Sequence, residues 1–392
     1  MLAGRPLHVV AVGKAAAAMA AAFVKVPHLA IRSALAVGTH AHDDLPASVE
    51  WIESSHPFPD ARSQRAAERA VAIAGRAHSG DVLVILLSGG ASALMAAPID
   101  GLTLADKIAT TRLMMETGAD IHALNTVRRH LSKVKGGRLA AACAGTTMTL
   151  AISDVVGDDL NAIGSGPGVP DGTTWSDAAA ALERFGGDVH LPEVRHVVAR
   201  GAAGDIPDTP KPGSGGLKRS QAAVIGSRAD AIEGAKQAAL ARGYHTVVIA
   251  NAVVGEAREV APRWLARALE LTQGVRRPAC VISAGETTVR VTGKGRGGRN
   301  LEFALAIAEA MASPTPMVLA SVGTDGIDGS SGVAGAVVDS STMVRASALG
   351  LDRPGSYLAA NDSLAFFAEL DDAVQLGRTD TNVGDLQVLL ID

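Results

Sequence analysis

The sequence predicts an α/β protein of two domains: a mainly parallel, Rossmann-like sheet domain, then a second α/β domain built on a mixed sheet. Three observations predict it. Apolar runs of strand length alternate with helical patterns along almost the whole chain, the signature of βαβ units. At 392 residues the chain exceeds what one ordinary core serves. A stretch dense in Pro, Gly and polar residues, GAAGDIPDTPKPGSGGLKRS, then divides it into an N-terminal domain (1–200), a linker (201–220) and a C-terminal domain (221–392).

The elements follow in order. Leu7 to Val12 reads as a buried first strand, with a helix from about Lys14. Val82 to Leu87 is a second strand, and it runs into the bare turn SGGASAL (Ser88 to Leu94). Leu102 to Cys143 is a long helical section whose cations Arg128, Arg129, Lys133, Lys135 and Arg138 are expected on a solvated face, with contact to phosphates as the lesser alternative. Thr147 to Ser153 is a strand leading into the acidic turn DVVGDD. Beyond the linker, Ala222 to Gly226, Thr246 to Ala250, Ala279 to Ala284, Met317 to Val322 and Leu386 to Ile391 form a second series. Cys280 to Thr292 reads as a strand pair turning near Gly285, which makes the second sheet mixed. There is no internal repeat.

Composition narrows the function. Hydrophobic residues are 47% and charged ones 19%, which gives an ample core and argues against disorder. A net charge of −4 supplies no basic footprint for nucleic acid and no polybasic membrane arm. Arg5 and the alanine-rich stretch after it resemble a secretory leader, but His8 and Lys14 interrupt the apolar run. No run approaches the ~20 apolar residues of a membrane span, so a cytoplasmic protein is expected. Cys143 and Cys280 have no CxxC partner and are expected as buried free thiols.

Two glycine-rich turns carry the chemistry. SGGASAL offers Ser88, Gly89, Gly90 and Ser92 with almost no side-chain bulk, so backbone N–H groups could wrap phosphate oxygens. It is not a Walker A, because no GxxxxGK[ST] occurs. GKGRGGRN (Gly293 to Asn300) contains a formal GxGxxG, but Lys294, Arg296 and Arg299 among the glycines favour a discrete carboxylate or phosphate. Lys14 directly after the first strand opposes the helix dipole, so either a phosphate partner or plain solvation must account for it.

Acidic turns complete the set. Asp154, Asp158 and Asp159 end a strand where α/β enzymes place their sites, and could accept a proton or hold Mg²⁺; the bland account is an Asx turn or cap. Asp325 and Asp328 lie in GTDGIDGSSG, a cation-binding or merely turning segment. Asn361 and Asp362 read as an N-cap, and HPFPD either presents His56 to a ligand or is an ordinary pre-helix turn, the latter favoured.

Together, VGKAAAAMA, LLSGGASAL, NTVRRHLSKVKGGRLA, ISDVVGDD, AIGSGP, GRGGRN, VGTDGIDG and TDTNVGDL resemble, in this order, the glycerate 2-kinase family, whose C-terminal half is called the MOFRL domain. The resemblance covers nearly the whole chain. It implies ATP-dependent phosphorylation of D-glycerate at its 2-hydroxyl, giving 2-phosphoglycerate and ADP with Mg²⁺. The lysine of the first GKA turn and the arginine of GGRN, regarded as essential in the family, fall on Lys14 and Arg299. Two departures stand out. Leu301 occupies the place where the family usually has glutamine. The chain also begins almost at its first strand, where members usually carry helical sequence.

The mechanism this implies is specific. ATP rests on SGGASAL, with Mg²⁺ bridging its phosphates and Asp154, Asp158 or Asp159. Arg296, Asn300, Glu286 and Asp325 contact the substrate. Asp154 takes the hydroxyl proton, while Lys14 and Arg299 neutralise charge on the transferring group across a cleft. A homodimer is allowed for. The alternatives are an NAD(P)H-dependent hydroxypyruvate reductase and a non-enzymatic sensor of nucleotides or sugar acids.

Overall fold

The computed structural model describes Leu2 and residues 4–392. The chain divides into two compact units, one formed by the chain up to Ile152 with Gly157–Ile225, the other by Ser153–Val156 with Gly226–Asp392.

The first unit runs β1 (Pro6–Val12), α1 (Ala16–Val24), β2 (Ala30–Gly38), β3 (Glu50–Glu53), α2 (Ala61–Gly75), β4 (Val82–Leu87) and the short α3 (Ala91–Leu94). It continues through α4 (Leu104–Glu116), α5 (Ile121–His130), α6 (Arg138–Ala141), β5 (Thr146–Ile152), α7 (Trp175–Arg184), α8 (Pro192–Ala202) and β6 (Ser220–Gly226). The sheet order is β3-β2-β1-β4-β5-β6. The pairings β2 with β3, β1 with β2, β1 with β4 and β4 with β5 are all parallel. Strands β1 and β4 are apolar almost throughout because both faces are covered, as parallel sheets require. Caps fix the helix starts: Asp60 with Ser63, Thr103 with Asp106 and Thr174 with Asp177 each close a capping box. A second cluster around Trp175 packs α4, α5, α7 and α8 together.

This order reverses direction between β1 and β4. In open α/β sheets ligands bind outside the carboxyl ends of the strands at such a switch point. The turns that leave β1 and β4 are Gly13–Lys14 and Ser88–Gly90, so the fold places both sequence motifs at one location.

One strand joins a different sheet from the one expected. Ala222 to Gly226 lies within β6 and closes the first sheet instead of opening the second. Its apolar pattern marks a strand but carries no information about its partner.

The second unit runs α9 (Arg228–Ala241), β7 (His245–Val248), β8 (Val253–Glu256), α10 (Ala257–Leu271), β9 (Ala279–Thr288), α11 (Arg299–Met311) and β10 (Met317–Gly323). Then follow β11 (Gly335–Asp339), α12 (Thr342–Ala348), α13 (Pro354–Ala360), α14 (Ser363–Glu369), β12 (Ala373–Val374) and β13 (Asp385–Ile391). The sheet order is β12-β11-β10-β13-β9-β7, with β8 also paired to β9. It is mixed: β7 and β8 run parallel to β9, while β13, β10, β11 and β12 pair antiparallel. Helix α11 is buried along most of its length in the main core.

The expected strand pair within Cys280 to Thr292 is a single strand, β9, that passes straight through Gly285. Glycine is needed there because a Cβ would collide with the backbone of Val253 on β8.

Candidate active site

In the first unit, β1 and β4 hold their turns against each other. The Lys14 amide donates to the Gly89 carbonyl at 2.9 Å, and the Ala15 amide to Ser88 Oγ at 3.1 Å. Ser88 is fully buried, so its hydroxyl is a strut of the turn. Gly90 adopts φ +83°. The position a Cβ would take there lies 3.1 Å from the His56 ring and 3.5 Å from Lys14 Cγ, so both side chains border the turn. Ser92 Oγ contacts Ser165 Oγ at 2.6 Å, which in turn donates to Asn125 Oδ1 at 3.0 Å. Among the described residues, the amides of Gly89, Gly90 and Ser92 have no protein acceptor. A buried or half-buried turn with unpaired N–H groups beside a lysine is suited to anionic oxygens.

The basic cluster behind this turn is not the solvated face expected. Lys135 and Arg129 are buried, and Arg128 and Arg138 are half-buried; Lys133 alone is exposed. The Lys135 ammonium donates to the Ser92 and Met95 carbonyls at 2.9 and 3.1 Å, bracing α3 from beneath. Lys107 does the same for the end of α5, donating to the Arg128 and Leu131 carbonyls. Burial, with repulsion from neighbouring cations, lowers both ammonium pKa values, that of Lys107 to about 7. Arg129 pairs with Asp171 at 3.1 Å. Lys135 reads as a surface residue because carbonyls of α3 and its end, not periodic carboxylates, are its partners. A cavity of about 670 Å³ lined by Lys133, Arg138, Arg200, Asp205 and Asp208 carries none of the predicted site residues.

In the second unit, Arg299 is the first residue of α11. Its Nε donates to Asp385 at 2.9 Å and its Nη1 to Glu286 at 3.1 Å. Among the described residues its Nη2 has no protein partner, and the side chain is 31% exposed. Burial pulls the guanidinium pKa down, but the charges of Asp385 and Glu286 outweigh it and the net shift is upward. The Glu286 carboxyl is raised by burial against the opposing pull of Arg299, with Asp154 and Asp385 adding to the rise.

Around Arg299 the glycine turn is lashed down. Asn361 Oδ1 accepts from the Thr292 and Gly293 amides at 2.8 Å each, and Asp362 Oδ1 from the Arg296 amide at 2.9 Å. The Gly295 amide donates to the Ala360 carbonyl. Asp328 accepts from the Asn300 and Leu301 amides, so the start of α11 already carries an anion of the protein's own. A Cβ at Gly293, Gly295 or Gly298 would collide with Ala360, Asp362 or Asp328 respectively. The glycines therefore serve close backbone approach, not an open anion nest. Asp362 stands at the expected N-cap position of α14 but makes no side-chain cap bond to it.

The other predicted residues fall out as follows. Asn300 is buried, donating to Asp385 at 2.9 Å and accepting from Ser321. Arg296 is exposed, with only long contacts to the Ser330 and Ser331 carbonyls. Asp325 closes an Asx turn onto the Ile327 amide. Asp154 accepts from Asn382 at 2.7 Å within the second unit. Asp158 and Asp159 belong to the first unit, and Asp159 is engaged by the Asn161 amide. Among the described residues, no group of three or more His, Cys, Asp or Glu could hold a metal ion.

Comparison with known proteins bears on this geometry. Residues 2–199 match a family described as a domain of unknown function, DUF4147, and residues 279–385 match the MOFRL family. The D-glycerate 2-kinase of Thermotoga maritima is 36% identical over 97% of this chain and 90% of its own. The chain belongs to the glycerate 2-kinase family. A crystal structure of glycerate kinase from Thermotoga maritima aligns with a TM-score of 0.87 at 35% identity, covering 99% of this chain and 92% of that one. A relative from Agrobacterium vitis, provisionally named hydroxypyruvate reductase, is 40% identical over 98% of this chain and 86% of its own.

Within this family framework, three residues of the network around Arg299 had no site role in the sequence. Asp385 heads a strand, Asn382 lies in an irregular loop, and Glu302 is buried on α11, where it accepts from Arg258 and Asn361. Only the buried position of Glu302 in an apolar helical pattern carried a signal. Both cysteines are buried and free, and no helix of the described residues is long and apolar enough to cross a membrane.

Proposed function

We propose that the protein is a glycerate 2-kinase that transfers the γ-phosphoryl group of ATP to the 2-hydroxyl of D-glycerate, giving 2-phosphoglycerate and ADP. The first unit takes the nucleotide: its phosphates lie on the Gly89, Gly90 and Ser92 amides, with Lys14 as their cation. The second unit takes the acceptor, with the open edge of Arg299 gripping an anionic oxygen and Asp154 or Glu286 accepting the hydroxyl proton. Mg²⁺ would come with the nucleotide as Mg-ATP and would supply charge neutralisation on its phosphates. The residues of this chain then bind, orient and neutralise, which is where catalysis of phosphoryl transfer chiefly lies.

One observation supports the kinase reading above the others: the unpaired amides beside Lys14 at the β1/β4 switch point. Glycerate as acceptor rests on the relatives. The reductase reading fits this unit poorly. A dinucleotide site wants a glycine-rich first turn and an acid at the tip of the second strand. Here the first turn is GKAAAA, and β2 ends at Gly38, followed by Thr39 and His40.

The deciding experiment mixes protein, Mg-ATP and D-glycerate with enolase alone. Phosphoenolpyruvate should appear, because enolase consumes 2-phosphoglycerate without a mutase. Product only after a mutase is added would move transfer to the other hydroxyl. Nicotinamide oxidation with hydroxypyruvate, and no ADP, would replace the kinase by the reductase.

A further inference from the structure

We propose that Asp385 is the positioning residue for Arg299: it fixes the guanidinium through Nε so that the Nη2 edge is presented to the acceptor. The proposal rests on the reading of Arg299 as the acceptor-side cation.

Asp385 is fully buried, a costly place for a carboxylate unless it is paired and hydrogen-bonded. Its partners are Arg299 Nε, Asn300 Nδ2 at 2.9 Å and the Thr287 amide at 3.2 Å. As the first residue of β13 it sits in register with Gly285 of β9 and Gly323 of β10, so neighbouring strands on both sides hold its backbone. Asn300 is itself locked, accepting from Ser321 Oγ at 2.8 Å. Every atom behind the Nε contact is thereby fixed by sheet or helix.

Glu286, the other partner, differs in kind. Its side chain is 39% exposed and holds Nη1 from the open side. A substrate anion could displace that contact, whereas Asp385 lies behind the arginine, in the core. An unsupported arginine would have to be ordered each time it met the transferring group. One anchored through Nε retains four of its five N–H donors in a fixed plane. Such preorganisation is what a cation needs to act on a transition state.

The test uses Asp385→Asn, which keeps shape and removes charge, with Arg299→Ala, Arg299→Lys and the double variant Asp385→Asn/Arg299→Ala. We expect Asp385→Asn to lower kcat roughly 10²-fold, the upper range for supporting residues, with KM for ATP unchanged. The double variant should be no slower than Arg299→Ala alone, because residues acting as one unit are non-additive. Losses that multiply, or near-normal turnover of Asp385→Asn, overturn the proposal.

A second readout does not need turnover. With ¹⁵N-labelled arginine, the Arg299 Nε–H signal, assigned by its absence in Arg299→Lys, should exchange slowly in the native protein. It should exchange rapidly in Asp385→Asn, or in Asp385→Glu should the first variant not fold. Unchanged exchange refutes the proposal even where glycerate kinase activity is absent, and changed exchange upholds the anchoring whatever the substrate proves to be.

Discussion

The turn after β4 and the turn before α11 are both glycine-rich and both open a helix, yet glycine serves opposite ends in them. After β4, among the described residues, the amides of Gly89, Gly90 and Ser92 are left without protein acceptors, and the cations beneath, Lys135 above all, face carbonyls. Before α11 the amides of Gly293, Gly295, Arg296, Asn300 and Leu301 are taken by acceptors of the same unit, and the helix start carries Asp328. The first turn offers backbone to a ligand, while the second packs its backbone away so that one side chain, Arg299, can be aimed. Glycine content alone does not separate a ligand nest from a packing device; the fate of each amide does.

The sharpest way to break this contrast is to remove the two cations. Arg299→Ala should lower turnover by ~10³-fold or more, the scale of a transition-state cation in phosphoryl transfer, with circular dichroism and Tm close to native. Lys14→Met should weaken nucleotide binding as well as turnover, because its partner is the phosphate chain. Matching kinetic defects in the two variants, with equal loss of ATP affinity, would erase the division of labour between the turns.

Next in size is a loss of stability confined to the second turn. Asn361 is buried, accepts from two amides and donates to Glu302 at 2.7 Å. Asn361→Ala leaves several buried polar groups unsatisfied, at about 3 kcal/mol in total. We expect a lower denaturation midpoint for the second unit and reduced turnover as Arg299 loosens. ATP affinity should stay native; a parallel fall in it would mean that the second turn also holds nucleotide.

How much of this was legible beforehand varied with the kind of signal. Periodicity and turn residues located β1, β4, β5, β9, β10 and β13, because strongly apolar runs bounded by Gly and Asp leave little choice. The partner of β6 was not legible, since an edge strand with exposed Gln221, Ala222 and Ala223 fits either sheet. Lys14 and the Ser88–Ser92 turn stood out because they follow strands, and the sheet order then placed them together. The anchors of Arg299 did not. Asp385 lies 86 positions away along the chain from its arginine, and Asp328 28 from the amide it caps. No local spacing connects such pairs; only the antiparallel register of β9, β13 and β10 does. Lys135 was misread for a related reason, because it is satisfied by carbonyls at the ends of α3 that composition does not reveal.

The response to pH is the most discriminating test, because the two units should answer with opposite sign. Lys107 is buried and its pKa falls to about 7, from burial first and the charge of Arg128 second. Between pH 7 and its ordinary value of 10.5 the unfolded chain binds more protons, so the stability of the first unit rises with pH. Asp328 is also buried, and its pKa rises to about 6 because burial outweighs the amides of Leu301 and Asn300. Between 3.8 and that value the folded state holds the extra proton, so the stability of the second unit falls as pH rises. At roughly 1.4 kcal/mol per pKa unit, the shifts bound the change at about 5 kcal/mol for Lys107 and about 3 kcal/mol for Asp328 across their windows. Trp264 in the second unit and Trp175 in the first allow the two unfolding transitions to be followed separately by fluorescence in single-tryptophan variants. Lys107→Met should flatten the alkaline slope seen at Trp175, and Asp328→Asn the acidic slope seen at Trp264. If either substitution flattened the slope at the other tryptophan, the ammonium-braced end of α5 and the carboxylate-capped start of α11 would not be energetically separate devices, and the contrast between the units would fail.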